Sequence, residues 1–362
     1  MDISFRLVDD RETFDQVTKL RYRVSIGELG KHCSNADHAR AAIADELDAA
    51  SSILVAHDGD QLIATARLTP AAALAPDSPW RAFYDLPRFS TYPDANLSIT
   101  SRFVVDPDYR GTPVGARLLG MAYERGRSIG TIFNFMHCAP GLVPIYEAMG
   151  FQRYGSGKID PDVGFRIPMV LVADDVARLD RIGTPLAALA RRFPSDSSNA
   201  RWFLESFGSS ADPSSARALG VEAFTRRVLA HLPDPRDILL DGLTPEQVRA
   251  TIERGVLHRL DRHEHLIRNG DRDRDISLVL DGLVEVDASA GAPASPRLVG
   301  KGAVIGERSF LANVPRDINV RAAEKTTLLS IGAESLQRFA HEQPQTAYRL
   351  VLNIAVMGAA AR

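Results

Sequence analysis

The sequence predicts an α/β domain built on a mixed sheet, followed by a β jelly roll with flanking helices. Three observations lead there. Strand and helix patterns alternate from the N-terminus to about Arg192. A stretch rich in Ser, Pro, Asp and Gly, "FPSDSSNARWFLESFGSSADPSSA" at 193–216, then changes the composition. Beyond it, short strand patterns separated by glycine turns run to about Ile331. At 362 residues the chain exceeds one ordinary domain. The expected division is a first domain at 1–192, a linker with short helices at 193–235, and a second domain at 236–362.

In the first part, "ISFRLV" reads as a strand and residues 11–29 as a helix. "SSILVAHDGDQLIATARL" is two β-runs around Asp58-Gly59, a hairpin signal. "LSITSRFVVD" is a further strand. "YRGTPVGARLLGMAYERG" turns through a loop into a helix, with Leu118, Leu119, Ala122 and Tyr123 on one face. "TIFNFMH" is a strand, "GLVPIYEAMG" a short helix and "RIPMVLVA" a closing strand. In the second part, Thr244, Pro245 and Gln247 form a capping-box start. Val248, Ile252 and Val256 read as the apolar stripe of the helix that follows. The strands are expected in "HLIRNGD", "DISLVLDGLVEV", "RLVGKGAVIGE" and "INVRAAEKTTLLSI", and residues 333–361 read as helix again.

Composition narrows the function classes. Hydrophobic residues make up 45% and charged residues 25%, the balance of a globular chain. A net charge of −3 gives no electrostatic support to nucleic-acid binding. No apolar run reaches the roughly 20 residues that span a bilayer, and "MDISFRLVDDRETF" lacks a signal core. The expectation is a cytoplasmic protein. Cys33 and Cys138 are too few for a disulfide framework or a Cys-rich zinc site. His32, His38 and His137 have no metal-ligand spacing, so no metal is expected. Cys138 reads as a buried, inert thiol.

The loop "RGTPVGARLL" joins a strand to a helix, where backbone N–H groups and the helix dipole favour an anion. It resembles the pyrophosphate loop of the GNAT acyltransferases, Arg/Gln-x-x-Gly-x-Gly/Ala, through Arg110, Gly111, Gly115 and Ala116. Pro113 stands where that family usually has glycine and removes one N–H donor. "VPIYEAMGF" resembles the family's next helix, where a Tyr protonates the departing thiolate; Tyr146 is at that place. Upstream, "LRYRVSIGELG", "DELDA", "ARLTP" and "SRFVV" resemble the ordered motifs of acyl-homoserine-lactone synthases and N-acyl amino acid synthases. Arg21, Asp45, Asp48, Arg67 and Arg102 are the matching positions. The aromatic residue of the first motif is not evident; Ser25 lies near its place.

The resemblance implies transfer of an acyl group from a thioester on acyl carrier protein or CoA to the amine of an amino acid-like acceptor. Such attack passes through an oxyanion and expels a thiolate, and the amine must first lose a proton. Arg67 and Arg102 are candidates for holding the acceptor carboxylate or for pairing with Asp45 and Asp48. Glu46, Asp48 and an ordered water are open as general base. Pro113 leans the donor toward acyl carrier protein, which presents one phosphodiester.

Residues 236–345 resemble cyclic nucleotide-binding domains. "IGERSFLANVPRDINV" matches the phosphate-binding cassette, Gly-Glu-x-x-x-Leu followed by Pro-Arg. The resemblance implies that Gly306 opens the cassette, Glu307 accepts from the ribose 2′-OH and Arg316 pairs with the cyclic phosphate. Backbone N–H groups near Ser309 would complete the anion site. The ligand would be cAMP or cGMP. Asp317 departs from the family, and three outcomes stay open for it. It turns away to pair with a neighbour, it meets a guanine amino group, or the pocket has lost nucleotides and Glu307 pairs with Arg316. The resulting expectation is an N-acyltransferase under allosteric regulation by a cyclic nucleotide, with a homodimer left open. Two alternatives stand beside it: a nucleotide-regulated protein lysine acetyltransferase using acetyl-CoA, and a non-catalytic signalling adaptor.

Overall fold

The computed structural model describes residues 2–31, 33–208, 219–232, 239–288 and 296–360. Two compact units share them. The first comprises residues 1–137, 148–154 and 168–211, the second residues 138–147, 155–167 and 212–362. Parts of 193–235, read from composition as a linker, lie outside the described residues, as does His32.

The elements up to the middle of the chain follow the expected order. Strand β1 (Ile3–Leu7) leads to helix α1 (Arg11–Tyr22), capped by Asp10, whose side chain accepts from the Thr13 N–H. The helix then widens into a π-helical turn at Arg23–Glu28, with Leu29 N–H reaching back to the Val24 carbonyl. Strands β2 (Ser52–Asp58) and β3 (Gln61–Pro70) form the hairpin about Gly59, which has φ +56°. Strand β4 (Leu97–Val105), helix α2 (Val114–Ser128), strand β5 (Phe133–Cys138), helix α3 (Val143–Ala148) and strands β6 (Gln152–Arg153), β7 (Lys158–Asp160) and β8 (Gly164–Val172) complete the series. The sheet order is β1-β2-β3-β4-β5-β8-β6. β4 and β5 run parallel, and the hairpin strands antiparallel. The sheet is therefore mixed, with α2 as the crossover between β4 and β5.

Alternation along β3 places residues on opposite faces. Ala64, Ala66 and Leu68 meet Val114, Leu118 and Ala122 of α2. On the other face, Ile53 and Val55 of β2, with Leu62, which a register shift before Ala64 takes out of the alternation, meet Val17, Leu20 and Val24. A third cluster is aromatic and lies against β4 and β5. It joins Leu97, Ile99, Phe133 and Phe135 to Phe89, Tyr154, Phe203 and Phe207. The last two come from helix α4 (Ser197–Phe207), capped by Asp196. The segment of linker-like composition thus holds an expected short helix, and its apolar face belongs to the first unit's core.

The second unit contains helices α5 (Val221–Leu229) and α6 (Pro245–Ile252), the latter opened by the Thr244–Gln247 capping box. Its β-sandwich has two four-stranded sheets. One is ordered β9 (Val256–Leu260), β16 (Thr326–Ile331), β11 (Ile276–Asp281) and β14 (Val304–Ile305). The other is ordered β10 (His265–Ile267), β15 (Ile318–Ala322), β12 (Val284–Ala288) and β13 (Arg297–Val299). Val256 opens β9 and is not part of the α6 stripe: the helix ends at Ile252 and Gly255 intervenes. The short helix α7 (Glu307–Ala312) links β14 to β15. At the C-terminus the expected single helix is two, α8 (Ala333–Glu342) and α9 (Pro344–Ala360). Pro344 disfavours helical geometry at Gln343 and restarts the helix at its own first position.

Helix α4 gives the first test. Phe203 is fully buried in the aromatic cluster, so Phe203→Ala is expected to cost about 3–5 kcal/mol. Both tryptophans, Trp80 and Trp202, border that cluster. Urea unfolding of the full chain followed by tryptophan fluorescence measures the loss; a change under about 1 kcal/mol would make α4 peripheral.

Candidate functional site

In the first unit a charged network forms where β3, β4 and α1 meet. Arg67 pairs across the ladder with Ser101, and its Nε donates to the Ser101 hydroxyl at 3.1 Å. Its guanidinium also bonds Asp45 and, at 3.1 Å, Asp48. Arg21, on α1, donates to both oxygens of Asp48 at 3.0 and 2.9 Å. Arg102 donates to Asp45 at 2.8 Å. The two aspartates are preset by a capping box: the Asp45 N–H donates to Asp48 at 3.0 Å, and Asp45 accepts from the Leu47 N–H. The contacts therefore run Arg21–Asp48–Arg67–Asp45–Arg102, with three guanidiniums against two carboxylates. One positive charge stays in excess within that series.

Burial sets the electrostatics. Arg21 has 1% of its surface exposed, and burial, opposed by Asp48, lowers its pKa to about 10; its Nε and Nη2 lack partners among the described residues. Burial works against ionisation of Asp45, but Arg67 and Arg102 outweigh it and hold the carboxyl below its ordinary range. Burial likewise opposes the charge of Arg102, and Asp45 overcomes it, raising the pKa. The arginines differ in access: the Arg67 side chain is 4% exposed and that of Arg102 24%.

Arg102 sits at a bulge in β4. Ser101 pairs with Arg67 and Val104 with Thr65, so Arg102 and Phe103 together face Ala66. Arg102 sits at φ +50°, a left-handed conformation that few non-glycine residues adopt. Parallel pairing of β4 with β5 spans Leu97–Ile99, just before the bulge. Beside it begins α2. A Cβ on Gly115 would lie 3.4 Å from the Phe103 ring. The first-turn N–H groups of Gly115 and Ala116 have no partner inside the helix, since the Arg117 N–H is the first to reach back, to the Pro113 carbonyl. Gly111 takes φ +76°. Arg110 is held by Glu28 of the π-helical turn at 2.5 and 2.8 Å.

Tyr146 lies on α3 and is buried; by contacts, residues 138–147 are grouped with the second unit. His137 bonds the Tyr84 hydroxyl through Nδ1 at 2.7 Å, and His38 bonds Tyr22 at 2.9 Å. Among the described residues no cluster has the makings of a metal site. Cys33 and Cys138 are buried and free of disulfides.

In the second unit, Gly306 sits at φ +93° in front of α7. A Cβ there would meet Arg316 Nη1 at 2.3 Å and the Asp275 carbonyl at 2.9 Å, so both conformation and space demand glycine. Arg316 is 2% exposed. It donates to the Gly306 carbonyl at 2.9 Å, the Asp275 carbonyl at 2.6 Å, and the Asp273 carboxylate at 2.7 and 3.3 Å. Ser309 is buried in α7, and Glu307 lies against Gly358 of α9, its Cγ 2.8 Å from a Cβ placed there. Asp317 turns to Arg308 in an exposed ion pair, the first of its three expected outcomes. The Glu307–Arg316 pairing expected of a retired pocket is not among the described ion pairs; Asp273 takes that role. An open cavity of about 480 Å³ is lined by Gly306, Glu307, Arg308, Asp317 and Ile318. It is within the size range of small-ligand sites.

Sequence reasoning missed Asp273, Asp275 and Arg166. For the two aspartates the signal was the alternating "DRDRD" at 271–275, which bridges two expected strands. Asp275 is buried, its Oδ2 without a partner among the described residues. Burial, then repulsion by Asp273, raises its pKa to about 6, against the charge of Arg166 and Arg316 and the Gly141 N–H bond.

The two sites are a buried Arg–Asp network in the first unit and, in the β-sandwich, a buried arginine beside an open cavity. Residues 16–175 match the family model of N-acyl amino acid synthase FeeM, and residues 257–343 that of the cyclic nucleotide-binding domain. Over those residues the chain is similar to these two families, an N-acyl amino acid synthase domain followed by a cyclic nucleotide-binding domain. Among solved structures it is similar to FeeM, an N-acyl amino acid synthase from uncultured soil microbes (15% identity, 52% of this chain, 97% of that chain, TM-score 0.40). It is also similar to BjaI, a CoA-dependent acyl-homoserine lactone synthase (18%, 50%, 91%, TM-score 0.38). A third similarity is to a cyclic nucleotide-binding domain from Methylobacillus flagellatus KT (22%, 39%, 80%, TM-score 0.35). No curated protein matches the chain. No described helix is long and apolar enough to cross a membrane.

Two stability tests follow. Asp48→Ala leaves the buried Arg21 without its counter-charge and Arg67 with Asp45 alone, and is expected to cost about 3–5 kcal/mol in denaturant unfolding. Asp275 works in the opposite direction. Its folded pKa lies above the ordinary 3.8 at about 6, so stability from the protonated form is complete below pH 3.8 and is lost as pH rises through about 6. Asp275→Asn is therefore expected to stabilise by up to about 3 kcal/mol at pH 7, with the advantage vanishing near pH 4. Calorimetric unfolding across that range checks the sign.

Proposed function

We propose that this protein transfers an acyl group from a thioester, on acyl carrier protein or CoA, to the amine of an amino acid-like acceptor, and that a cyclic nucleotide regulates the transfer. The observation that carries the acceptor assignment is Arg102. It is the most exposed arginine of the network, and Asp45 occupies only its Nη2. A planar guanidinium with donors to spare suits a carboxylate. Arg67 and Asp48, both buried, act as positioning residues that fix Asp45 and hence Arg102.

The donor's phosphate would meet the Gly115 and Ala116 N–H groups at the start of α2, with Gly111 shaping the loop and Arg110 set by Glu28. Two donors suit one phosphodiester, which favours acyl carrier protein over CoA. Tyr146 would protonate the departing thiolate. In the second unit, Gly306, Glu307, Ser309 and Arg316 would hold cAMP or cGMP, Arg316 receiving the cyclic phosphate.

The test is mass spectrometry of products formed from long-chain acyl donors, on acyl carrier protein or CoA, and a mixture of free amino acids, with and without each nucleotide. An N-acyl amino acid is expected. Arg102→Gln should raise the acceptor KM at least tenfold with kcat little changed, the signature of lost ground-state binding. Transfer of acetyl groups alone, onto protein lysines, would replace this reading with the acetyltransferase. Product formation indifferent to Tyr146→Phe would remove its acid role.

A further inference from the structure

The guanidinium assigned to the nucleotide phosphate is already filled. Asp273 takes Arg316 side-on through both carboxylate oxygens, at 2.7 and 3.3 Å, while the carbonyls of Gly306 and Asp275 accept from it as well. Most of its N–H donors are thereby used. A phosphate arriving from the cavity beside Gly306 and Glu307 needs paired N–H donors, and the Asp273 carboxylate holds them.

Asp275 extends this contact. Its carbonyl rests on Arg316, and its side chain accepts from the Gly141 N–H. Gly141 and Gly332 approach so closely that a Cβ on Gly141 would lie 3.1 Å from the Gly332 Cα, and one on Gly332 3.1 Å from Asp275 Oδ1. Gly332 is the N-cap of α8, and the Pro140–Leu142 turn runs directly into α3, which carries Tyr146. One residue thus touches the phosphate arginine, the turn before the Tyr146 helix, and the start of α8. All of these belong to the second compact unit. Arg166, buried beside them, acts electrostatically on both Asp271 and Asp275.

We propose that Asp273 is a built-in competitor for the nucleotide phosphate, and that exchanging one anion for the other at Arg316 shifts Asp275 and so loosens the Pro140–Leu142 turn ahead of Tyr146. This rests on the nucleotide reading above and adds its mechanism. The two states differ in which anion Arg316 binds, which gives the ligand the differential interaction that coupling requires. The competitor also weakens apparent affinity, since the site is open only when Asp273 has left.

Calorimetric titration of cAMP and cGMP into the full chain tests the exchange, using wild type, Asp273→Asn and Arg316→Ala. Asp273→Asn should bind at least tenfold more tightly, and Arg316→Ala should lose binding. Amide hydrogen exchange of residues 138–147 tests the relay. In wild type, nucleotide should speed exchange at least threefold, and Asp273→Asn should show the faster exchange without nucleotide. The wild-type response stands even if the variants fold poorly. Equal or weaker binding by Asp273→Asn overturns the competitor while leaving nucleotide binding intact. Unchanged exchange in nucleotide-bound wild type overturns the relay. Absence of binding by both wild type and Asp273→Asn overturns the nucleotide reading and this proposal together.

Discussion

Arg67 lies almost fully buried between two aspartates and a serine, and that placement constrains everything near it. A charge removed from water must be matched by opposite charge and by hydrogen bonds, or the fold bears several kcal/mol of desolvation. Matching Arg67 requires Asp45 and Asp48, so the short 3₁₀ turn holding them must sit beside β3. Matching Asp48 in turn requires Arg21, which fixes α1. The last member, Arg102, is left partly open. The same rule operates at Arg316, where Asp273 and two carbonyls close the shell.

Local backbone geometry then decides which charges face a ligand. At β4, one extra residue turns Arg102 into the left-handed region, and without the bulge alternation would aim it differently. At the cassette, Gly306 lets the backbone pass within contact of Arg316. Both sites therefore combine a buried, rigid base with one exposed edge, the arrangement that holds polar groups in place before a substrate arrives.

Much of this was legible from residue order. The four upstream motifs located Arg21, Asp45, Asp48, Arg67 and Arg102, and the cassette located Glu307 and Arg316. Their partners were not legible, because spacing along the chain gives no distance across it. Arg67 and Arg102 were open between holding the acceptor carboxylate and pairing with Asp45 and Asp48, and the structure pairs both with aspartate. The 248–252–256 spacing continues a helical period, yet the helix ends at Ile252 and Val256 enters a strand. Ser and Asp around 193–216 outweighed Phe203 and Phe207, whose burial depends on Phe89 and Phe133 more than 50 residues away. Asp273 was hidden by the alternating charges around it.

The most direct measurement is a crystal structure of the protein grown with saturating cAMP or cGMP. The account predicts the cyclic phosphate on the Arg316 guanidinium, Asp273 turned away from it, and the Gly141–Asp275 hydrogen bond broken or lengthened. A nucleotide bound elsewhere, with the Arg316–Asp273 pair intact, would contradict it.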